Sequence, residues 1–217
     1  SKALLMQEKT AGELDIFKPT VYDKTGVELQ LGRRVKAIDR AGKTLILDNN
    51  ETLPYDKLAL CTGARVRTLD IPGADLAGVH YLRTLADAEA IQQQVKPGAK
   101  AVIVGGGYIG LETAASLRKL GMEVTVLEMS DHILVREDPD AAAIVQTALT
   151  RDGVRVVVEC GIERVERQGA EKVIHFTCDG VQSVTVDEIL VGAGRAPNTD
   201  GLGLDAAGGN HDRPGGR

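Results

Sequence analysis

The feature that most restricts what this chain can fold into is a run of three glycines, Gly105, Gly106 and Gly107, set between "AVIV" and "YIGLE". Glycine loses more backbone freedom on folding than other residues and has no side chain to pack. A cluster of them where a buried strand should pass into a helix therefore implies that something comes close to the backbone. With Tyr108, Ile109 and Gly110 the run reads G-x-G-x-x-G. In that pattern the first glycine permits a tight turn, the second lets backbone approach a pyrophosphate, and the third allows close helix–strand packing. The phosphates then face free N–H groups at the positive end of the helix dipole.

A glycine-rich turn alone is weak evidence, and a plain tight turn is the alternative reading. Here the surroundings match the motif. An apolar strand, Ala101 to Val104, precedes it, a helix from about Tyr108 to Leu120 follows with Gly121 as its stop, and a second strand runs from Glu123 to Glu128. That is a β-α-β unit of about thirty residues, which belongs in a parallel sheet. Glu128 ends the second strand at the distance expected for a contact to a ribose 2′-hydroxyl. Its charge would repel a 2′-phosphate, and "MSDH" after it supplies no arginine to receive one. The pattern therefore favours NAD(H) over NADP(H).

On either side the periodicity changes. "FKPTVYDKTG" reads as a short helix with Pro19 in its first turn and Gly26 as its stop. "VELQL", "RVKAID", "KTLILD" and "KLALC" alternate with period two and read as strands. "TLADAEAIQQQV" carries Thr84 with Asp87 three residues on, a capping pattern, and is stopped by Pro97-Gly98. Beyond Glu128 the pattern predicts a helix (Asp138 to Arg151), a strand (Val154 to Val158), two hairpin-like strands (Ile162 to Arg167 and Lys172 to Cys178) and a last strand (Glu188 to Val191). The glycine-rich tail "GGNHDRPGGR" reads as loop. The fold class expected is α/β: a three-layer, Rossmann-like dinucleotide-binding domain, a parallel sheet plus a β-hairpin or meander, with part of a second domain.

Composition narrows the partners. With 26 Lys and Arg against 31 Asp and Glu the net charge is -5, and no basic block stands out, which argues against nucleic acid. An anionic cofactor must then be held by local geometry. No apolar stretch approaches membrane-spanning length, and "ALLM" is too short for a signal peptide. The chain opens at Ser1 without a methionine, as a processed chain or a piece of something longer would. Cys61, Cys160 and Cys178 are an odd number at wide spacings and read as three unpaired thiols. Charge and cysteine usage point to the cytoplasm.

The stretches "LPYDKLALCTGARVRTLDIPGADLAGVHYLRTLADAEAI", "AVIVGGGYIGLE", "VTVLE" and "ILVGAGRAPNTDGLGLDAAG" resemble, in this order, the two-dinucleotide-domain flavoprotein reductases of the pyridine nucleotide-disulfide oxidoreductase superfamily. NADH:ferredoxin and rubredoxin reductases are the nearest in wording, with dihydrolipoamide dehydrogenase and mercuric reductase more distant. The resemblance implies an FAD-dependent NAD(P)H oxidoreductase. It would take hydride from NADH to FAD and pass electrons to a small iron-sulfur or rubredoxin-type carrier. A disulfide or mercuric reductase, or an NAD-binding fragment without flavin, are the alternatives. It also implies an organisation: 1–96, strand-rich, as part of an FAD-type domain; 97–193 as the NAD-binding domain; 194–217 as the start of the return to the FAD domain and a flexible tail.

Residue by residue, "CTGAR" stands where the family has A-T-G-A-R, so Thr62 and Gly63 would lie against FAD, and Cys61 would be a small buried packing residue. Tyr108 would sit on the nicotinamide side of the flavin, or merely pack in the first helical turn. Glu112 suits the helix start on dipole grounds alone. The family adds an ion pair between Glu112 and Lys2 near the flavin, against which stands a free, solvated Lys2. Gly192 and Gly194 in "VGAGR" would let the last strand approach the cofactor, with Arg195 and Asn198 shaping the connection after it; an ordinary turn is the alternative there. No metal site is expected.

Overall fold

The computed structural model describes residues 2–208, and the tail expected to be loop lies outside the described residues from residue 209 on. Among the described residues two compact units form: one of residues 12–63, the other of residues 2–11 together with 64–208.

In the smaller unit, helix α2 (Pro19–Thr25) begins on its proline and ends at Gly26, whose left-handed backbone (φ 69°) lets its N–H reach the carbonyls of Asp23 and Tyr22. Strands β1 (Val35–Asp39), β2 (Thr44–Leu47) and β3 (Thr52–Pro54) form an antiparallel sheet in that order. "VELQL" and "KLALC" are not strands. Their alternation lacks a neighbouring strand to pair with among the described residues, and an extended segment without a ladder partner is not held as sheet.

The larger unit opens with α1 (Lys2–Leu5), which buries Leu4 and Leu5. After β4 (Ala64–Val66) and β5 (Val79–Tyr81), helix α3 (Leu85–Gln94) starts on the expected capping box. The Thr84 hydroxyl accepts from the Asp87 N–H, and the Asp87 carboxylate accepts from the Thr84 N–H at 2.6 Å. Next come β6 (Lys100–Val104), α4 (Tyr108–Lys119), β7 (Glu123–Leu127), α5 (Pro139–Arg151) and β8 (Arg155–Val157). Strands β9 (Gly161–Gln168), β10 (Glu171–Thr177) and β11 (Val181–Val186) follow as an antiparallel meander, then β12 (Glu188–Val191) and β13 (Arg195–Pro197). The sequence pattern predicted two strands of this meander; β11 escaped because "VQSVTV" is mostly exposed on its outer face.

Five strands lie parallel in the order β5-β12-β6-β7-β8. Side chains of Val102, Val104, Leu127, Ile189 and Val191 join Val165, Ile174, Phe176 and Val186 of the meander in one buried cluster. Ala101, Ile103 and Leu190, the alternate positions, are buried as well, as are Ile91 of α3 and Ala114 and Leu117 of α4. With both faces of β6 covered, "AVIV" is apolar at every position rather than alternating. The order of the strands makes β6 a switch point: the chain leaves it toward β7 and later returns on its other side as β12. Ligands of open parallel sheets bind outside the carboxyl ends of the strands at such a point.

Two further expectations change. Cys160 and Cys178 are joined as a disulfide, so the three cysteines are not all free thiols. The spacing of 18 residues hid the pair, since the meander that brings β10 back beside the end of β8 is a tertiary feature. Cys61, expected to be buried, is exposed and free. No helix among the described residues is long and apolar enough to cross a membrane.

Candidate functional site

The glycine loop sits at the carboxyl end of β6, and its glycines do different things. Gly105 has φ 104°, a conformation other residues rarely adopt, and a Cβ there would lie 2.7 Å from the carbonyl oxygen of Gly192. A Cβ on Gly110 would lie 2.1 Å from the carbonyl oxygen of Gly105. On Gly192 it would meet the Gly110 backbone at 3.4 Å. Gly105, Gly110 and Gly192 thus form one close backbone contact, in which α4 starts against the ends of β6 and β12. The Gly192 N–H donates to the Val104 carbonyl at 2.7 Å, which keeps β12 in register beside the loop.

Gly106 is buried and packs on Ile133, where a Cβ would come within 2.9 Å of that side chain. Gly107 differs from both. It is exposed, and a Cβ there would meet nothing within 4 Å. It is also the N-cap of α4 and has no side chain to accept from the first turn. An open, side-chain-free face beside the uncapped positive end of a twelve-residue helix is the cradle an anionic diphosphate fits.

Glu128 follows β7 and closes the other side. Its Oε2 accepts from the Gly106 N–H at 2.6 Å and its Oε1 from the Ser130 N–H at 2.8 Å. Loop and carboxylate are therefore one arrangement, not two neighbours in sequence only. The segment after Glu128 adds a brace: the Leu134 N–H donates to the Gly106 carbonyl at 2.9 Å. Leu134 has φ 53°. Sequence reasoning missed Ile133 and Leu134, because a leucine at positive φ has no compositional signature.

Tyr108 begins α4 and is 60% exposed. Its hydroxyl is hydrogen-bonded to the Glu137 carboxylate, and that bond, followed by burial and by the negative charge itself, raises the phenol above its ordinary range. Ile109 is half-buried, and its carbonyl accepts from the Thr113 hydroxyl at 2.7 Å.

The expected ion pair is absent. Glu112 is exposed on α4, and Lys2 lies one turn and more farther along, lining a cavity of about 610 Å³ with Ala115, Ser116, Arg118 and Lys119. No ion pair joins Lys2 to Glu112 among the described residues. Packing decides this: Leu4 and Leu5 are buried, and Gln92 of α3 donates to the Leu4 carbonyl at 2.8 Å, which seats α1 by the carboxyl-terminal half of α4.

Gly194 has φ 95°, and its carbonyl accepts from the Arg67 N–H at 3.0 Å as the chain enters β13, which pairs with β4. Arg195 gives its carbonyl to Arg67 Nε at 3.3 Å, and Arg65 reaches the Asn198 side chain at 3.5 Å and Asp200 at 2.8 Å. These residues build a turn and a two-stranded ribbon. Thr62 and Gly63 belong to the smaller unit, are exposed, and Gly63 has φ 70°. No cluster of metal-ligating side chains occurs among the described residues.

Comparison with known proteins agrees with this geometry. The family model described as pyridine nucleotide-disulphide oxidoreductase matches residues 1–216. The chain is 42% identical over 177 residues to the biphenyl dioxygenase system ferredoxin--NAD(+) reductase component of Paraburkholderia xenovorans (strain LB400), covering 81% of this chain and 43% of that protein. It is 30% identical over 208 residues to the rubredoxin-NAD(+) reductase of Pseudomonas putida, covering 95% of this chain and 54% of that one. The reductase in a crystal structure of the covalent putidaredoxin reductase-putidaredoxin complex superposes with a TM-score of 0.86 at 33% identity, over 97% of this chain and 51% of that chain. The chain thus spans about half the length of the relatives it matches. With the glycine loop, the acidic residue after β7 and the matched family model in agreement, the chain belongs to the pyridine nucleotide-disulphide oxidoreductase family.

Proposed function

We propose that this chain supplies the NADH-binding part of a flavin-dependent oxidoreductase, which moves hydride from NADH to FAD and electrons onward to a small iron-sulfur or rubredoxin-type carrier. The observation that carries the NADH part is the open backbone at Gly107, beside the uncapped start of α4 and within the same arrangement as the Glu128 carboxylate. In this reading the first amides of α4 hold the diphosphate, Glu128 accepts from the adenosine ribose hydroxyls, and a 2′-phosphate is excluded by its charge. Gly105, Gly110 and Gly192 keep the loop close to the sheet, and Ile109 anchors the first turn.

FAD, when bound, supplies the two-electron to one-electron conversion that hydride donors and single-electron carriers require. Thr62 and Gly63 are assigned to its binding, Tyr108 and Gly194 to the side facing it. The division expected from the sequence gives residues 1–96 and 194–217 to its domain and 97–193 to the NAD domain, but β5 pairs with β12 in the parallel sheet and is counted with the NAD part. The ferredoxin- and rubredoxin-directed names of the relatives support the choice of electron acceptor. Lys2 and Glu112 keep a place in this reading as separate charges, not as a pair. The cytoplasmic location rests on charge alone, since Cys160 and Cys178 are bridged.

Calorimetric titration of the full chain with NADH and NADPH tests the core of the reading, with NADH bound more tightly by at least about tenfold, the effect of one charge-assisted contact. No NADH uptake by folded protein refutes it. A visible flavin spectrum with NADH-dependent reduction of ferricyanide supports the oxidoreductase assignment. NADH binding by a colourless, inactive chain reduces the function to dinucleotide binding.

A further inference from the structure

The Cys160–Cys178 bridge lies beside the acidic residue of the crevice. Strand β8, three residues long, is an edge strand that among the described residues pairs with β7 alone. The segment that leaves it holds the backbone around Glu128. The Glu128 N–H donates to the Val157 carbonyl at 2.9 Å, the Glu159 N–H to the Ser130 carbonyl at 2.8 Å, and the Cys160 N–H to the Glu128 carbonyl at 2.9 Å. Glu128 in turn holds the Gly106 amide. Cys178 stands at the opposite end of the bridge, where β10 turns into β11 through Asp179 and Gly180, both at positive φ. Both cysteines are buried, at 1% and 8% exposure, in the apolar layer that also contains Leu127.

We propose that Cys160 and Cys178 are a reversible dithiol–disulfide modification site that sets the affinity of the NADH crevice through the position of Glu128. The proposal rests on the dinucleotide reading of that crevice. A short edge strand fixes the segment after it weakly, and the cross-link ties that segment to the better-paired meander. Reduction removes the tie and leaves the segment after β8 joined to Glu128 and Ser130 by those three backbone hydrogen bonds, beside the bonds that the Glu128 carboxylate makes to the Gly106 and Ser130 amides.

The chemistry needs a dithiol reductant. One of its thiolates attacks Sγ of Cys178, the less buried of the two residues; the Cys160–Cys178 bond breaks, and Cys160 leaves as a thiolate that takes up a proton. The reductant's second thiolate then attacks the mixed disulfide, which frees the Cys178 thiol and leaves the reductant as a cyclic disulfide. Two electrons and two protons pass to the protein. The Val158 carbonyl oxygen, 3.2 Å from Cys160 Sγ, is in place to accept the new S–H, so the reduced thiol has a partner inside the core.

The test compares the full chain before and after treatment with dithiothreitol. Thiol titration in denaturant should count one thiol, Cys61, in the bridged protein and three after reduction. NADH affinity should fall at least about fivefold on reduction, the low end of coupling between two sites. In Glu128→Gln, whose grip is already lost, reduction should change affinity by less than about twofold, which a general loosening of the fold would not produce. Cys178→Ser should behave as the reduced protein under both conditions; if it does not fold, the redox comparison in the native sequence decides. Equal NADH affinity in both states, an equal fall in Glu128→Gln, or three thiols after exposure to oxidised glutathione overturns the proposal. Absence of NADH binding in either state refutes the dinucleotide reading and takes this proposal with it.

Discussion

Replacing Gly110 and Gly107 one at a time by alanine separates the two jobs of the glycine motif. Both gain from the reduced freedom of the unfolded chain, by about 0.4–1 kcal/mol. At Gly110 the new Cβ would stand 2.1 Å from the Gly105 carbonyl oxygen and 3.2 Å from Ile103 Cγ2. The first of these is backbone and cannot swing away, so α4 has to retreat from β6 by about 1 Å, the kind of overpacking that costs about 1–3 kcal/mol or more. Because the clashing atom is backbone, the cost falls at the upper end of that range, about 3 kcal/mol, and after the alanine gain of about 1 kcal/mol inside a helix Gly110→Ala should lose about 2 kcal/mol, which in a domain of this size lowers the melting temperature by about 4–8 °C. Gly107 is at φ -82° with nothing within 4 Å of a Cβ. Its loss as an N-cap costs about 0.5–1 kcal/mol and is offset by the unfolded-state gain, so the melting temperature should stay within about 2 °C. NADH affinity should behave otherwise: Gly107→Ala should weaken it at least about tenfold, because the methyl group would fill the space proposed for the diphosphate and hold it out of reach of the first amides of α4. Thermal melts and NADH titrations of the two variants check this. Unchanged NADH binding in Gly107→Ala, or a wild-type melt in Gly110→Ala, refutes the division of roles.

Glu128→Gln should weaken NADH by about tenfold and narrow its preference over NADPH, since the amide presents only one acceptor to the Gly106 and Ser130 amides and no charge; comparative titration with the two dinucleotides reads both effects. Burial pushes the Asp87 carboxyl up, but bonds from the Thr84 amide and hydroxyl and the Arg83 amide outweigh it and leave the group below its ordinary range. A lowered folded value means that its contribution is present above the unfolded value, near 3.9, and is lost as pH falls through the lower folded one. Asp87→Ala should therefore lower the melting temperature by about 2–4 °C at pH 7, corresponding to about 1 kcal/mol for a cap, with the difference closing in acid; a difference that persists undiminished in acid contradicts the account. Lys172, 5% exposed, donates to the Asp187 carbonyl and faces Glu188 at 3.5 Å, while His80 meets Glu188 at 2.7 Å. Lys172→Met should destabilise by about 2 kcal/mol or more by stranding those acceptors, measurable by urea unfolding, and a neutral result would show that water replaces the ammonium.

Much of the site was legible in the sequence because its signals are local. Glycine spacing, an apolar strand before it, a helix after it and a carboxylate at the end of the next strand all fall within residues 101 to 128, and the structure joins them as one unit. The capping box at Thr84 and the stop at Gly26 were equally readable, since each is a contact between near neighbours in the chain. What the tertiary structure alone decided are relations between distant residues. The backbone contact of Gly105 with Gly192 depends on β12 returning beside β6. The Cys160–Cys178 bridge depends on the meander folding back, and the separation of Lys2 from Glu112 depends on where buried leucines seat α1. Local periodicity says which face of a segment is apolar, but not which other segment covers it; that choice is made by packing across the whole unit, where shape and burial outweigh any short pattern.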